Sequence, residues 1–202
     1  LCIREIKRNY TNKDIAIFDA GCGTGGLLLK LQAEGFNNIQ GIDASGDAIQ
    51  ICKYRKLECS KDFIQNISNA SKGKKFDVII SNDVLYFLSK EEQNEFLKSA
   101  YNILNPGGIL LINFPALKAF RGNHDFAVGI NTRFSKNDVK QLIKNSSFTC
   151  TTFRFWPFLL SPIIFTVRLL QRLSTDSSAH DGISSDVAVP NSLVNNILYR
   201  IS

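Results

Sequence analysis

The chain predicts an α/β fold built on a doubly wound, mostly parallel sheet flanked by helices, and three observations carry that expectation. Its first 114 residues alternate short β-branched or apolar runs with amphipathic runs, the pattern of successive βα units. A glycine-rich segment, Asp19 to Gly26, joins the first apolar run directly to an apolar helical stretch. Aspartates at 19, 43 and 62 end or follow the first three strands, which gathers them at the carboxyl edge where open α/β sheets bind ligands.

Taken in order, the strands are predicted over Ile15–Asp19, Ile39–Asp43, a short run near Leu57–Ser60, Phe76–Asn82 and Gly108–Phe114. The nearly continuous apolar runs Val78–Ile80 and Ile109–Ile112 read as central strands covered on both faces. A helix begins at Leu27–Leu31 directly after the glycines. Ser89 with Glu92 makes a capping box ahead of Phe96, Leu97, Ala100, Tyr101 and Leu104 at helical spacing, and Asn105-Pro106-Gly107-Gly108 stops that helix. Ser135 with Asp138 starts another helix, carrying Val139, Leu142 and Ile143 on one face. A sixth strand is expected within Phe148–Phe155, then a Ser/Asp/Gly-rich loop from Ser174 to Pro190 and a short helix around Leu193–Tyr199.

At 202 residues the chain is expected to form one domain, with 1–114 carrying the glycine loop and the strand-end aspartates and 115–202 a following loop, helices and tail. Hydrophobic residues at 44% and charged residues at 21% exclude disordered and low-complexity classes. Five cysteines without CxxC spacing fit reduced thiols and a cytoplasmic setting, and no metal site is expected from them. The formal charge is +6, but the cations are spread along the chain with clusters only at 4–8 and 72–75, which argues against nucleic acid.

The glycine loop carries the chemistry. Its glycines allow a tight turn and close approach to a ligand, and the amides at the following helix start face whatever lies above the strand ends. Gly21-x-Gly23-x-x-Gly26 also matches a dinucleotide fingerprint. Asp43 at the end of the second strand can take both ribose hydroxyls of a nicotinamide or an adenosyl ligand, so by itself it does not choose between them.

Asp19-x-Gly21-x-Gly23-x-Gly25, then Asp43, Asp62-Phe63, Asn82-Asp83-Val84-Leu85 and Leu104-Asn105-Pro106-Gly107-Gly108 together resemble the class I S-adenosylmethionine-dependent methyltransferases, with a Rossmann-like fold, over roughly residues 1 to 200. The resemblance implies S-adenosylmethionine as cofactor. It implies that Asp19, Ala20, Gly21, Cys22, Gly23 and Gly25 surround its methionine part. It implies that Asp43, followed by Ala44, holds the ribose, that Asp62 accepts from the adenine amino group with Phe63 over the ring, and that Asn82, Asp83 and Val84 line the sulfonium side.

Tyr86 and Phe87 stand where some small-molecule members carry an acid and a histidine, and these aromatics are expected to pack over cofactor or acceptor. No Asn, Asp or Ser precedes two prolines and an aromatic at strand four, which argues against a nucleobase or amide nitrogen as acceptor. The expected reaction is therefore transfer to an oxygen or carbon of a small acceptor, one that a lid formed by residues 153–170 would make hydrophobic. A cofactor-binding protein with lost or regulatory activity is the main alternative and an NAD-dependent oxidoreductase the third.

Arg121 to Asp125 and Thr132-Arg133-Phe134 resemble the acceptor-side loop of a bacterial subgroup of that family. His124 is the candidate catalytic base there, with Asp125 beside it, and an ordering hydrogen bond is the alternative role. Residues 153–170 are apolar but interrupted by Arg154, Pro157, Ser161, Pro162 and Arg168, so no transmembrane span is expected. A core helix, a lid over a greasy pocket, a homodimer face or a membrane-surface segment all fit that run. Against the family's plan, the final antiparallel strand is expected to be missing, and of the helical residues that members carry ahead of the first strand only Leu1–Tyr10 is expected to remain.

Overall fold

In the computed structural model, which describes residues 1–116 and 133–154, five strands form one sheet in the order β3-β2-β1-β4-β5, and every pairing is parallel. The strands are β1 (Ile17–Ala20), β2 (Ile39–Asp43), β3 (Cys59–Lys61), β4 (Phe76–Asn82) and β5 (Leu104–Asn113). The helices are α1 (Cys2–Asn9), α2 (Gly26–Ala33), α3 (Gly46–Tyr54), α4 (Ile67–Ala70), α5 (Lys90–Ile103) and α6 (Lys136–Lys144). The strand order reverses between β1 and β4. Ligands of such sheets bind beyond the carboxyl ends at that point.

Two apolar clusters cover the two faces. Ile6 of α1, Leu28 and Leu31 of α2 and Ile49 and Cys52 of α3 pack with Ile17, Ile39, Val78 and Ile80. On the other face Ile67 of α4 and Phe96, Leu97, Ala100 and Ile103 of α5 pack with Phe18, Ile42 and Ile79. A register shift between Phe76 and Val78 accompanies the placement of Phe76 in this second cluster, where its ring meets Phe18 edge-on at 4.9 Å.

β2 and β4 have the bounds that their apolar runs predict. β1 starts at Ile17 rather than Ile15, because the amide of Ala16 is taken by Asp77 Oδ2 at 2.8 Å instead of by a neighbouring strand. β3 starts two residues later than expected and ends one later, and β5 starts earlier, at Leu104, which pairs Phe76 before the irregularity. Ile109–Ile112 were expected in a central strand. They are only half-buried, because β5 is the outer strand of the described sheet.

The α5 capping box is present, with Ser89 Oγ accepting from the Glu92 amide and Glu92 accepting from the Ser89 amide. Asp138 takes the Ser135 amide and hydroxyl at the start of α6 in the same way. The sixth strand is not found over residues 148–154. Their polar groups bond locally instead, the Phe148 amide to Ser146 Oγ and Cys150 Sγ to the Thr152 carbonyl, which competes with a ladder. Phe155 and the expected later loop and helix lie outside the described residues.

The chain divides into two compact units, Leu1–Phe114 with Lys140–Thr149, and Pro115–Val139 with Cys150–Ser202. Within the second, Ala116 bridges Phe134 and Arg133 donates to the Ala116 carbonyl at 3.0 Å. Among the described residues no helix is long and apolar enough to cross a membrane, and all but the first two residues of 153–170 lie outside them.

Candidate cofactor site

The site is built where β1, β2, β3 and β4 end. β1 delivers Asp19 and Ala20 into the interior, and the Asp19 side chain is 2% exposed with no hydrogen-bond partner for Oδ1. Burial, and then the charge of Asp43, push its carboxyl up from the ordinary range to about 7. A buried carboxylate oxygen left without a donor is costly unless a cationic ligand meets it.

The chain then turns through the glycine loop. The amides of Gly21 and Cys22 both donate to the Ile42 carbonyl, at 2.8 and 2.9 Å, which clamps the loop to the end of β2. Gly21 has φ +90, and a Cβ there would lie 2.3 Å from Val84 Cγ2, so the loop and the segment after β4 touch only because this residue is glycine. At Gly23, φ is +53 and nothing lies within 4 Å of the position a Cβ would take. The loop therefore opens onto free space at that residue.

Asp43 ends β2 and accepts two backbone amides, that of Gly23 on Oδ2 at 2.8 Å and that of Ser45 on Oδ1 at 2.9 Å. Each oxygen keeps a further lone pair for a ligand hydroxyl. Ala44, next along, is exposed, and Ser45 caps α3 through the Ala48 amide. The Asp62 amide donates to the Asp43 carbonyl at 3.1 Å, which links the ends of β2 and β3. Asp62 Oδ1 accepts from the Phe63 amide and from Asn66 Nδ2, both at 2.8 Å, and the Phe63 ring beyond it is 60% exposed.

On the β4 side Asn82 Oδ1 accepts from Cys2 Sγ at 3.3 Å, so α1 reaches the end of β4. Asp83 sits at φ +53, its amide bonded to the Asn113 carbonyl at 2.9 Å and its Oδ2 to Asn113 Nδ2 at 3.3 Å. Burial pushes its carboxyl up. Tyr86 and Phe87 follow with ring centroids 4.2 Å apart, and Phe87 is 58% exposed.

Asp19, the glycine loop, Asp43 and Asp62 are thus linked through direct hydrogen bonds and the shared sheet edge, and Val84 joins them through Gly21. His124, the expected base, lies outside the described residues. Sequence reading missed Cys2, Asn66, Asn113 and Arg55, the last donating to the Thr24 carbonyl at 2.7 Å. Asn113 alone carried a signal, a polar residue closing an apolar strand opposite Asn82. These residues fit S-adenosylmethionine: a buried carboxylate with one oxygen unpartnered, open space over Gly23, acceptor capacity on Asp43 and an exposed ring after Asp62.

Comparison with known proteins agrees. The family model described as "Methyltransferase domain" matches residues 1–152. Carboxy-S-adenosyl-L-methionine synthase of Shewanella piezotolerans is 30% identical over 124 residues, covering 55% of this chain and 49% of that protein. Malonyl-[acyl-carrier protein] O-methyltransferase of Priestia megaterium is 31% identical over 114 residues, covering 55% and 40%. The chain thus spans about half or less of these curated relatives. Among solved structures, a SAM-dependent methyltransferase from Archaeoglobus fulgidus superposes with a TM-score of 0.63 at 17% identity, covering 84% of each chain, which shows the shared fold. With a family match over three quarters of its length and this site geometry, the chain belongs to the class I S-adenosylmethionine-dependent methyltransferases.

Proposed function

We propose that the protein transfers a methyl group from S-adenosylmethionine to an oxygen or carbon atom of a small acceptor with a hydrophobic body. The observation that carries the reading is the linked set Asp19, Gly23, Asp43 and Asp62 at one sheet edge, with Oδ1 of Asp19 unpartnered. When bound, the cofactor supplies a methyl group already activated on a sulfonium. The chain's own residues hold and orient. Asp19 would hold the amino group of the methionine part and Asp43 the ribose hydroxyls. Asp62 and Phe63 would take the adenine, and Asn82 to Val84 would line the sulfonium side.

Holding donor and acceptor in near-attack register contributes about 7 to 11 kcal/mol to such a displacement, so positioning is the main task. His124 is the residue we assign to receive the proton of a hydroxyl acceptor. The exposed Phe87, its ring tilted against that of Tyr86 shortly after Val84, supports an apolar acceptor surface. Two relatives named as O-methyltransferases, the Priestia protein and the ubiquinone biosynthesis O-methyltransferase of Rickettsia bellii, support oxygen as the acceptor atom. A small molecule, rather than nucleic acid, is the proposed partner, and the cytoplasm the proposed location.

The test is transfer of labelled methyl from S-adenosylmethionine to fractions of a cell extract. Label in an organic-soluble, base-stable or ester-like small product is expected. Label only in protein or nucleic acid would overturn the acceptor class, and no transfer despite tight cofactor binding would favour a binding protein without activity.

A further inference from the structure

The glycine loop has a second chemistry on its buried side. Cys22 of the loop, Cys52 of α3 and Cys59 of β3 come from three separate elements, yet their Sγ atoms all lie within 4.8 Å of one another. Among the described residues they are the one group of three or more metal-ligating side chains so placed. Cys52 is fully buried, Cys22 nearly so, and Cys59 half-buried. Cys52 Sγ donates to the Gly23 carbonyl at 3.3 Å, and Cys22 Sγ lies 3.7 Å from that same oxygen.

Packing keeps the trio together. A Cβ at Gly41 would lie 2.8 Å from Cys22 Cβ and 3.1 Å from its Sγ, and a Cβ at Gly25 would lie 3.1 Å from Cys52 Sγ. Both neighbouring backbones therefore come close enough to wall the sulfurs in only because they are glycine. None of these thiols is used by the cofactor reading, apart from the place of Cys22 in the loop.

We infer that Cys22, Cys52 and Cys59 form a binding site for a thiophilic d10 cation, Zn2+ being the ion to test, and that its occupancy opposes cofactor binding on the other side of the loop. Sulfur-only donors select zinc or monovalent copper over oxygen-seeking cations. Binding forms three metal–sulfur bonds and releases the S–H protons to solvent, and no electron changes hands. With metal–sulfur bonds of about 2.3 Å the sulfurs stand about 3.8 to 4.0 Å apart, so sulfurs up to 4.8 Å apart must close by up to about 1 Å. Cys22 is the one of the three on the glycine loop, so closing acts on that loop. Gly23, next to Cys22, is the residue whose amide Asp43 holds, so the loop is displaced from the geometry that meets the cofactor. The antagonism is reciprocal by linkage. This second half rests on the cofactor reading, whereas the first does not.

The experiment uses the chain with Cys2→Ser and Cys150→Ser, which removes the other two thiols, kept reduced with a phosphine. Zinc alone is titrated calorimetrically, and cadmium is titrated with thiolate-to-metal absorption as the readout. One equivalent binding at micromolar concentration or tighter, weakened at least tenfold by Cys59→Ser with an unchanged far-UV spectrum and Tm, is the expected result. Binding that is absent, or unchanged in Cys59→Ser and in Cys52→Ala, would overturn the site. S-adenosylhomocysteine is then titrated with and without zinc. At least fivefold weakening by zinc, abolished in Cys59→Ser, is expected, and equal affinity would overturn the antagonism. If S-adenosylhomocysteine does not bind at all, the cofactor reading fails while the zinc titration still decides the metal site.

Discussion

The Asp43 carboxylate holds the Gly23 amide at 2.8 Å, so the acid that ends β2 also fixes the loop that follows β1. The same carboxylate takes the Ser45 amide and so sets the start of α3. A residue expected only to bind ribose is thus also a structural tie. Replacing it removes ligand contacts and loosens the loop together. Each hydrogen bond to a charged group contributes about 1.5 to 3 kcal/mol. Asp43→Ala is therefore expected to weaken S-adenosylhomocysteine at least tenfold, with faster amide exchange at Gly23 in the free protein, both read by calorimetry and hydrogen exchange.

Asp19 makes cofactor binding depend on pH. Its folded carboxyl is raised to about 7, so it stabilises the ligand-free fold at acidic pH, and that contribution is lost as pH rises through about 7. A cationic ligand needs the ionised form, so affinity is expected to rise from pH 5.5 to 7.5 and then level off. Titrations in buffers of different ionisation enthalpy should show proton release below pH 7. Asp19→Asn should flatten the profile, weaken binding and raise ligand-free stability at pH 8.

Two glycines of one loop should respond differently. Gly21→Ala sets a methyl 2.3 Å from Val84 Cγ2 at φ +90, and a loss of at least about 2 kcal/mol with a lowered Tm is expected. Gly23→Ala meets open space at φ +53, where the backbone cost is about 1 kcal/mol. Its larger effect should be on S-adenosylhomocysteine affinity, through a methyl standing in the ligand's space. Thermal melts and titrations of the two variants check the contrast.

A helix cap outside the linked acids serves as the control. Ser89→Ala removes the side chain that accepts the Glu92 amide and should cost about 1 kcal/mol, with cofactor affinity unchanged. A change in affinity as large as that of Asp43→Ala would mean that global loosening, not the site, governs binding.

Where pattern and local chemistry agree, the fold was legible. Phe76–Asn82 is a bounded apolar run and is β4 as expected, and Ser89 with Glu92 caps α5 as the spacing predicts. Where a side chain takes a backbone group the reading slipped, as with Asp77 at the Ala16 amide and Ser146 at the Phe148 amide. Burial of β5 was overestimated because an apolar run does not reveal which strand is outermost. The acids of the site stood out as strand-end residues. The Arg55 bond to Thr24 and the Cys22, Cys52, Cys59 trio depend on tertiary approach between elements, which no local spacing encodes.

The central claim is that the linked acids and glycine loop bind an adenosyl cofactor. Calorimetric titration of the ligand-free chain with S-adenosylhomocysteine and, separately, with NADH tests it most directly. One equivalent of S-adenosylhomocysteine should bind while NADH does not. Binding of NADH without S-adenosylhomocysteine would contradict the account.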